Sequence, residues 1–206
     1  FPGQARSYGV GFTVGDKGYM GLGRSFDDVY RDLWEYDATA NSWTKKADFP
    51  GSSPVSAATF TLGNKAYVGT GVTGIFGTFT KEFWEYDPAV DNWTRKADFP
   101  GLPRSGAVGF TIGAAGYMGT GGAPDVWYYT PNNNRWTRTT DFPGGGRQNA
   151  SGFSNGFKGY IGLGGVNDLW EYNPQFRSWT KKADFPGIVR QFATSFNIGT
   201  QGYISC

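Results

Sequence analysis

The sequence has no histidine, a single cysteine (Cys206), and few of the aliphatic residues that line helices. The absence of histidine excludes His-dependent catalytic triads and most zinc, copper and haem sites. One cysteine cannot form an intrachain disulfide. Six leucines in 206 residues are too few for the apolar stripes of a helical bundle. No apolar run approaches the roughly 18 residues that a membrane-spanning helix needs.

Charge of either sign is also modest. Nineteen Lys and Arg face 17 Asp and Glu, which gives a net charge of +2. Non-specific binding to nucleic acid needs a basic patch or stripe, and this balance does not provide one. We therefore expect no nucleic-acid partner, no membrane span, no metal and no cofactor.

Glycine and aromatic residues are abundant. There are 33 glycines, and Phe, Trp and Tyr make up 18% of the chain, whereas glycine averages about 7% in proteins. A core built from this composition must consist of aromatic rings, with glycine making room between them. Together with the repeated strands described next, this composition predicts an all-β chain.

The chain is an internal repeat, which decides its organisation. Phe-Pro-Gly begins at Phe1, Phe49, Phe99, Phe142 and Phe185, and each is followed by a Tyr-hydrophobic pair and, in four cases, by a glycine-rich stretch and two tryptophans nine residues apart. Each repeat predicts four short strands, which in the first repeat are 9–14, 19–23, 33–36 and 43–47. A single four-stranded sheet cannot bury both of its faces. Several such sheets can cover one another's faces when they stack radially as the blades of a β-propeller.

The tyrosine and tryptophan spacing resembles the kelch repeat. The kelch repeat contains two adjacent glycines, then a Tyr, and a Trp seven residues after that Tyr. The Tyr/Trp pairs of this chain are Tyr36/Trp43, Tyr86/Trp93, Tyr129/Trp136 and Tyr172/Trp179. The double glycine is complete only at Gly121-Gly122 and Gly164-Gly165. The segments Trp-Glu-Tyr-Asp-Pro (84–88) and Trp-Thr-Arg-Lys-Ala-Asp-Phe-Pro-Gly (93–101) are similar to sequences in kelch arrays of secreted Bacteroidetes proteins. This resemblance implies a kelch-type β-propeller from an extracellular or bacterial cell-surface protein.

The repeat spacing predicts blades at 1–48, 49–98, 99–141 and 142–184, and a partial blade at 185–206. The chain begins with Phe1 rather than Met, and its sequence stops within a second strand. We expect four complete blades plus two strands of a fifth, as part of a six- or seven-bladed propeller closed by other blades of the same or another chain. The alternative is a five-bladed propeller with one half-blade.

An arginine recurs five residues after most of the Phe-Pro-Gly phenylalanines. These arginines are Arg6, Arg104, Arg147 and Arg190, and Pro54 interrupts the set. Strand alternation places them on the same face as the carboxylates Asp32, Glu82, Asp125 and Asp168. Arginine suits bidentate capture of anions, and arginines here resemble those with which some kelch domains receive acidic peptides. The alternative is structural, with each arginine paired to a strand-three carboxylate.

The loops between strands two and three are longer in the first two repeats. They carry Arg24, Phe26 and Tyr30 in the first and Phe76 and Phe79 in the second. Exposed aromatics on variable loops are candidate binding residues, although they could instead fold over their own blades. The repeated tryptophans and tyrosines are expected to pack the core: Trp34, Trp43, Trp84, Trp93, Trp127, Trp136, Trp170, Trp179, Tyr36, Tyr86, Tyr129 and Tyr172.

Two functions are compatible with these features. The first is a non-catalytic binding or scaffold module. Its protein or glycan partner would dock on the face that carries the loops between strands two and three and the loops from strand four to strand one of the next repeat. The second is a carbohydrate-active kelch enzyme, mutarotase-like, with Arg104, Arg147 and Glu82 as candidates and its other site residues in blades absent from this chain. A galactose-oxidase-like copper site needs two histidines, which this chain lacks.

Overall fold

A computed structural model describes residues 1–52 and 54–205. In these residues the chain forms eighteen β-strands and one 3₁₀ turn, Pro131–Asn133. The strand count and the all-β class agree with the sequence prediction. Cys206, the only thiol, lies outside the described residues. No helix in the described part is long and apolar enough to cross a membrane.

The strands form four four-stranded antiparallel sheets and one two-stranded sheet, each in sequence order. We call each sheet a blade. The first blade contains β1 (Val10–Val14), β2 (Lys17–Gly21), β3 (Leu33–Asp37) and β4 (Ser42–Lys46), and the second contains β5 (Ala58–Leu62), β6 (Lys65–Gly69), β7 (Phe83–Asp87) and β8 (Asn92–Arg95). The third contains β9 (Ala107–Ile112), β10 (Ala115–Thr120), β11 (Val126–Thr130) and β12 (Arg135–Arg138). The fourth contains β13 (Ser151–Ser154), β14 (Gly159–Gly162), β15 (Leu169–Asn173) and β16 (Ser178–Lys181), and the two-stranded sheet contains β17 (Thr194–Ile198) and β18 (Gln201–Ser205).

The turn between the first two strands is tighter than the sequence indicated. Val14 pairs with Lys17, which leaves a two-residue loop, so β2 begins two residues earlier than predicted. Gly15, the first loop residue, has a φ of 61°. Asp16, the second loop residue, does not have a positive φ, so the turn has the pattern of type II′, which favours glycine at its first position. The same position is Gly63, Gly113 and Gly199 in other blades, all with positive φ.

The chain separates into two compact units, Phe1–Ser105 and Gly106–Cys206. In the first unit, β1 lies against β5 and β6 of the next blade. The core between them includes Val10, Tyr19, Phe49 and Tyr86. The Tyr19 and Tyr86 rings meet edge-on, with centroids 5.8 Å apart, so aromatic side chains join the two blades as expected.

The second unit repeats this packing. Here β13 lies against β9 on one side and against β17 on the other. Its core includes Phe110, Tyr117, Phe142 and Tyr172. Small residues let the strands approach: a side chain at Gly159 would overlap the Phe110 ring of the preceding blade.

Candidate functional site

The first repeated arginine, Arg6, forms a bidentate ion pair with Asp32. Its Nη1 lies 2.6 Å from Oδ1 and its Nη2 lies 2.9 Å from Oδ2. The two side chains are only 7% and 19% exposed. The Trp34 indole donates to the same carboxylate at 2.7 Å, and the guanidinium lies 5.0 Å from the centroid of the Phe1 ring. We call this arrangement of Phe, Arg, carboxylate and Trp the clamp.

The fourth blade contains the same clamp. Arg147 donates to both carboxylate oxygens of Asp168, with Nη2 3.0 Å from Oδ2. Trp170 donates to Asp168 at 2.9 Å, and the Arg147 guanidinium lies 4.8 Å from the Phe142 ring centroid. Charge-assisted bidentate hydrogen bonds fix geometry as well as charge, so the clamp ties the Phe-Pro-Gly segment to strand three.

The second blade keeps the carboxylate but lacks the arginine, because Pro54 occupies that position. Glu82 instead accepts hydrogen bonds from the Ser52 backbone N–H at 2.8 Å and from the Ser52 hydroxyl at 2.9 Å. The Trp84 indole donates to it at 3.3 Å. Ser52 therefore replaces the arginine as the donor, and this substitution was not evident from the sequence.

The two remaining arginines also lie over the phenylalanine of their own Phe-Pro-Gly segment. Arg104 is 2% exposed, its Nε donates to the Leu102 carbonyl at 3.0 Å, and its guanidinium lies over the Phe99 ring. Arg190 donates to the Ile188 carbonyl and lies 4.9 Å from the Phe185 ring centroid. Among residues 1–52 and 54–205, no carboxylate forms an ion pair with Arg190.

These contacts have a direct consequence for the predicted arginine face. Arg6 and Arg147 form the ion pairs that the structural alternative requires, and the Arg6 guanidinium is also covered by Tyr30, whose ring centroid is 4.6 Å away. A ligand anion would have to displace a buried carboxylate from either arginine. Binding of an acidic ligand by the whole arginine set therefore stays a prediction.

The clamp also sets the ionisation of its carboxylates. Burial would raise the pKa of Asp32, but the hydrogen bonds from Arg6 and Trp34 outweigh it and hold the pKa below its usual value. The same balance of burial against Arg147 and Trp170 lowers the pKa of Asp168. A general acid would need a raised carboxyl pKa at neutral pH, so these two groups are poorly suited to donate protons.

A shallow depression lies beside the first two–three loop. It has a volume of about 410 Å³ and is lined by residues 5–7 and 24–26. Phe26 is 89% exposed at its edge. The Arg24 guanidinium lies 5.2 Å from the Tyr8 ring centroid, and no carboxylate in the described part of the chain forms an ion pair with it. An unpaired cation next to an exposed aromatic ring can bind a ligand carrying a carboxylate.

The second two–three loop presents further aromatics. Phe76 is 99% exposed and Phe79 is 50% exposed. The loop is held by a hydrogen bond from the Thr78 backbone N–H to the Thr73 hydroxyl. Neither ring is folded over its blade, in contrast to Tyr30, which packs on Arg6. The structure thus separates the predicted loop residues into exposed ones and one that covers a clamp.

The repeated tryptophans and tyrosines lie on strands three and four of the blades. The indole of Trp93 donates to the Ala47 carbonyl of the preceding blade at 3.0 Å, and Trp179 donates to the Thr140 carbonyl at 3.2 Å. Tyr86 donates to Asp91 in the following turn at 2.7 Å. Most of the tyrosine rings are fully buried. These contacts hold neighbouring blades together within each unit.

A tyrosine–glutamate–lysine network in three blades was missed by the sequence reasoning. Tyr67 donates to Glu85 at 2.7 Å, and both Lys65 and Lys96 form ion pairs with this carboxylate, which is buried. Tyr160 donates to Glu171 at 2.9 Å in the same way, and burial together with that carboxylate raises the pKa of Tyr160 to about 12. The sequence indicates this network by the recurrence of Lys-x-Tyr in strand two and of Trp-Glu-Tyr in strand three of the same repeats.

Within residues 1–52 and 54–205, no group of three or more Cys, Asp or Glu side chains could hold a metal ion. Each of the three residues considered for an enzyme site is held by its own surroundings. Glu82 is held by Ser52, Arg147 is paired with Asp168, and Arg104 is buried.

Comparisons with known proteins agree with this architecture. No protein-family model matches the chain. N-acetylneuraminate epimerase from Yersinia enterocolitica serotype O:8 is 40% identical over 68 residues, which span 33% of this chain and 17% of that protein. The solved structure of YjhT superposes with a TM-score of 0.77 at 17% identity, covering 92% of this chain and 69% of that one. The repeated four-stranded sheets and this match together show that the chain has the fold of a kelch-type β-propeller.

Proposed function

We propose that this chain is part of a non-catalytic binding module whose ligand docks on the depression between Arg24 and Phe26. The observation that carries the proposal is the unpaired Arg24 guanidinium beside a ring that is 89% exposed. The clamp arginines are engaged within their blades, whereas Arg24 is available to a ligand. Phe76 and Phe79 are further exposed rings, on the second two–three loop.

The ligand class that fits is a sugar or peptide bearing a carboxylate. Arginine binds a carboxylate through two parallel hydrogen bonds, and an aromatic side chain covers the apolar face of a bound sugar or peptide side chain. The partial relative is named for N-acetylneuraminate, a carboxylate-bearing sugar. We propose an acidic glycan as the partner, in a secreted or cell-surface bacterial protein similar to the Bacteroidetes arrays.

The test is calorimetric titration of the chain with N-acetylneuraminate and with an acidic glycan panel. We expect binding that Arg24→Ala weakens about tenfold or more, since a charge-assisted pair is lost, and that Phe26→Ala weakens less. Arg135→Ala and Phe157→Ala are matched controls, because both side chains are exposed but lie outside the two–three loops. Equal affinity of parent and Arg24→Ala would overturn the proposal.

A carbohydrate-active enzyme is the second candidate, favoured by the name of the partial relative. Its remaining site residues would come from further blades. Conversion of N-acetylneuraminate, followed by proton NMR, separates this function from simple binding. Turnover that Glu82→Gln and Arg147→Lys abolish, while both variants remain folded, would favour the enzyme. Binding without turnover favours the module.

A further inference from the structure

The fourth blade has two turns that differ from those of the other complete blades. Its one–two hairpin has four loop residues, 155–158, because Ser154 pairs with Gly159, whereas the same hairpin has two loop residues in the first three blades. The longer loop carries Phe157, which is 75% exposed. The three–four turn of the same blade carries Phe176, which is 71% exposed. Two phenylalanine rings therefore protrude from the turns of a single sheet.

Both turns project from the same end of this sheet. Gly159 of β14 and Tyr172 of β15 are paired, and the chain runs from each of them directly into its turn. The two–three loop of the blade lies at the opposite end, because successive strands are antiparallel. The two protruding rings therefore belong to a surface that is separate from the predicted arginine face.

Hydrogen bonds hold the longer turn in place. The Asn155 side-chain oxygen accepts from the backbone N–H of Phe157 at 3.1 Å and from that of Lys158 at 2.8 Å. The Gly113 N–H of the preceding blade donates to the Gly156 carbonyl at 3.1 Å. The Phe157 ring is thus presented to solvent by a fixed turn.

The last residue of the three–four turn lacks its usual structural contact in the fourth blade. In the first three blades this residue accepts a hydrogen bond from the strand-three tyrosine, and it is Asn41, Asp91 or Asn134. The fourth blade has Arg177, whose side chain cannot accept, and Tyr172 contacts Thr139 instead. Arg177 also has a φ of 48°, a left-handed conformation that favours Asn and Asp over other side chains. Neither contact nor conformation explains an arginine here, so its role lies outside the blade.

The charge around these rings is positive. Arg177 is exposed, and no carboxylate in residues 1–52 and 54–205 forms an ion pair with it. Lys158 is paired with Glu171, whose side chain is only 12% exposed, and Arg135 is exposed on the neighbouring blade. The turns of the third and fourth blades at this end contain no Asp or Glu, and they are 113–114, 131–134, 155–158 and 174–177. Exposed apolar side chains among cations are the groups with which proteins bind an anionic membrane surface.

We propose that this end of the fourth blade binds the surface of an anionic lipid bilayer. Phe157 and Phe176 enter the boundary between headgroups and acyl chains, and Arg177 pairs with lipid phosphates. A peptide partner needs a groove or a strand edge to dock on. Two protruding turns fit a fluid bilayer better, because lipids rearrange around them.

The test is co-sedimentation of the chain with vesicles of equal parts phosphatidylcholine and phosphatidylglycerol, compared with phosphatidylcholine alone. We expect half-saturation at or above about 0.1 mM lipid, since two rings bury less apolar surface than a myristoyl chain, whose binding constant is about 10⁴ M⁻¹. Phe157→Ala and Phe176→Ala should each weaken binding about tenfold, because a buried phenylalanine is lost. Arg177→Ala should weaken binding to the anionic vesicles about fivefold and leave binding to the neutral ones unchanged.

Two variants are matched controls and should bind vesicles as the parent does. Phe76→Ala removes a ring that is 99% exposed on a two–three loop, and Arg138→Ala removes an arginine that is paired with Asp141. All the substituted side chains are exposed, so each variant keeps the fold, which tryptophan fluorescence checks.

Absence of sedimentation with anionic vesicles at about 10 mM lipid, a hundredfold above the expected lower bound, overturns the proposal. Equal binding by the parent and the variant that lacks both Phe157 and Phe176 also overturns it, as does a loss with Phe76→Ala as large as that with Phe157→Ala. Retention on immobilised polyglutamate without any binding to vesicles would assign this end to an acidic protein and overturn the bilayer as its partner.

Discussion

At the scale of single residues, the clamp explains why the arginine recurs. Arg147 is held by a stacked ring, two carboxylate oxygens and the Gly144 carbonyl. Only 8% of its side chain is exposed. A buried charge requires this degree of pairing. The second blade shows that the carboxylate, rather than the arginine, is the constant member, because Ser52 replaces the arginine there.

Arg147→Ala should destabilise the chain by about 2–3 kcal/mol, since it leaves Asp168 partly buried with a single side-chain donor. Arg138→Ala is the matched control. Arg138 also forms a bidentate pair, with Asp141, but the two side chains are 55% and 45% exposed. Exposed pairs contribute about 0–1 kcal/mol. Urea unfolding followed by tryptophan fluorescence measures both changes, and equal effects would contradict the role of burial.

At the scale of elements, the fit between neighbouring strands decides where glycine is required. Gly159 in β14 and Gly18 in β2 occupy the same position of the repeat, where the second blade has Ala66. A methyl group at Gly159 would overlap the Phe110 ring, whereas at Gly18 its nearest neighbour is the Tyr36 Cβ at 3.9 Å. The same repeat position therefore tolerates a side chain in one blade and excludes it in another.

Gly159→Ala should lower the free energy of unfolding by about 1–3 kcal/mol, the usual cost of overpacking a core. Gly18→Ala should be neutral or slightly stabilising, because glycine weakens a strand interior relative to alanine. The thermal midpoints of the two variants, compared with the parent, measure the difference. A similar loss in both would show that backbone conformation, and not the Phe110 ring, sets the requirement.

Sequence periodicity was sufficient for the strands and their order, because hairpin glycines and paired tryptophans recur at nearly constant spacing. It also predicted the ion pair between arginine and carboxylate, as the structural alternative to anion binding by the arginines. The exchange of Arg for Ser52 was not visible, because a backbone N–H donor leaves no mark in the sequence. The exposure of Phe26 and the packing of Tyr30 on Arg6 depend on how their loop folds, which repeat spacing does not determine.

At the scale of the whole molecule, carboxylates in both units accept hydrogen bonds that stabilise the folded state. Those whose pKa is lowered are Asp32, Asp37, Glu82, Glu85, Asp91, Asp168 and Glu171. For most of them, hydrogen bonds from Arg, Lys, Tyr, Trp or backbone N–H outweigh the opposing effect of burial. In the unfolded chain these groups take up protons at their usual pKa, near 4.

Because the folded carboxyl pKa values lie below the unfolded ones, the unfolded state binds more protons in acid. Their stabilisation is present above about pH 4 and is lost as the pH falls toward the folded values. The thermal midpoint should be nearly constant from pH 7 to 5 and fall steeply below about pH 4. Calorimetry of the parent and Glu171→Gln tests this, and we expect a shallower decline in the variant. A midpoint unchanged down to pH 2 would contradict the assignment.

Each clamp is encoded within a single repeat of the sequence, from one Phe-Pro-Gly to the next. Phe142, Arg147, Asp168, Trp170 and Trp179 all fall between one Phe-Pro-Gly and the next, as do the members of the first clamp. The genetic unit that can be copied or removed in frame is therefore 43 to 50 residues beginning at Phe. Duplication in this register copies every clamp donor with its acceptor, so arrays of different length can arise without any new clamp pairing having to evolve.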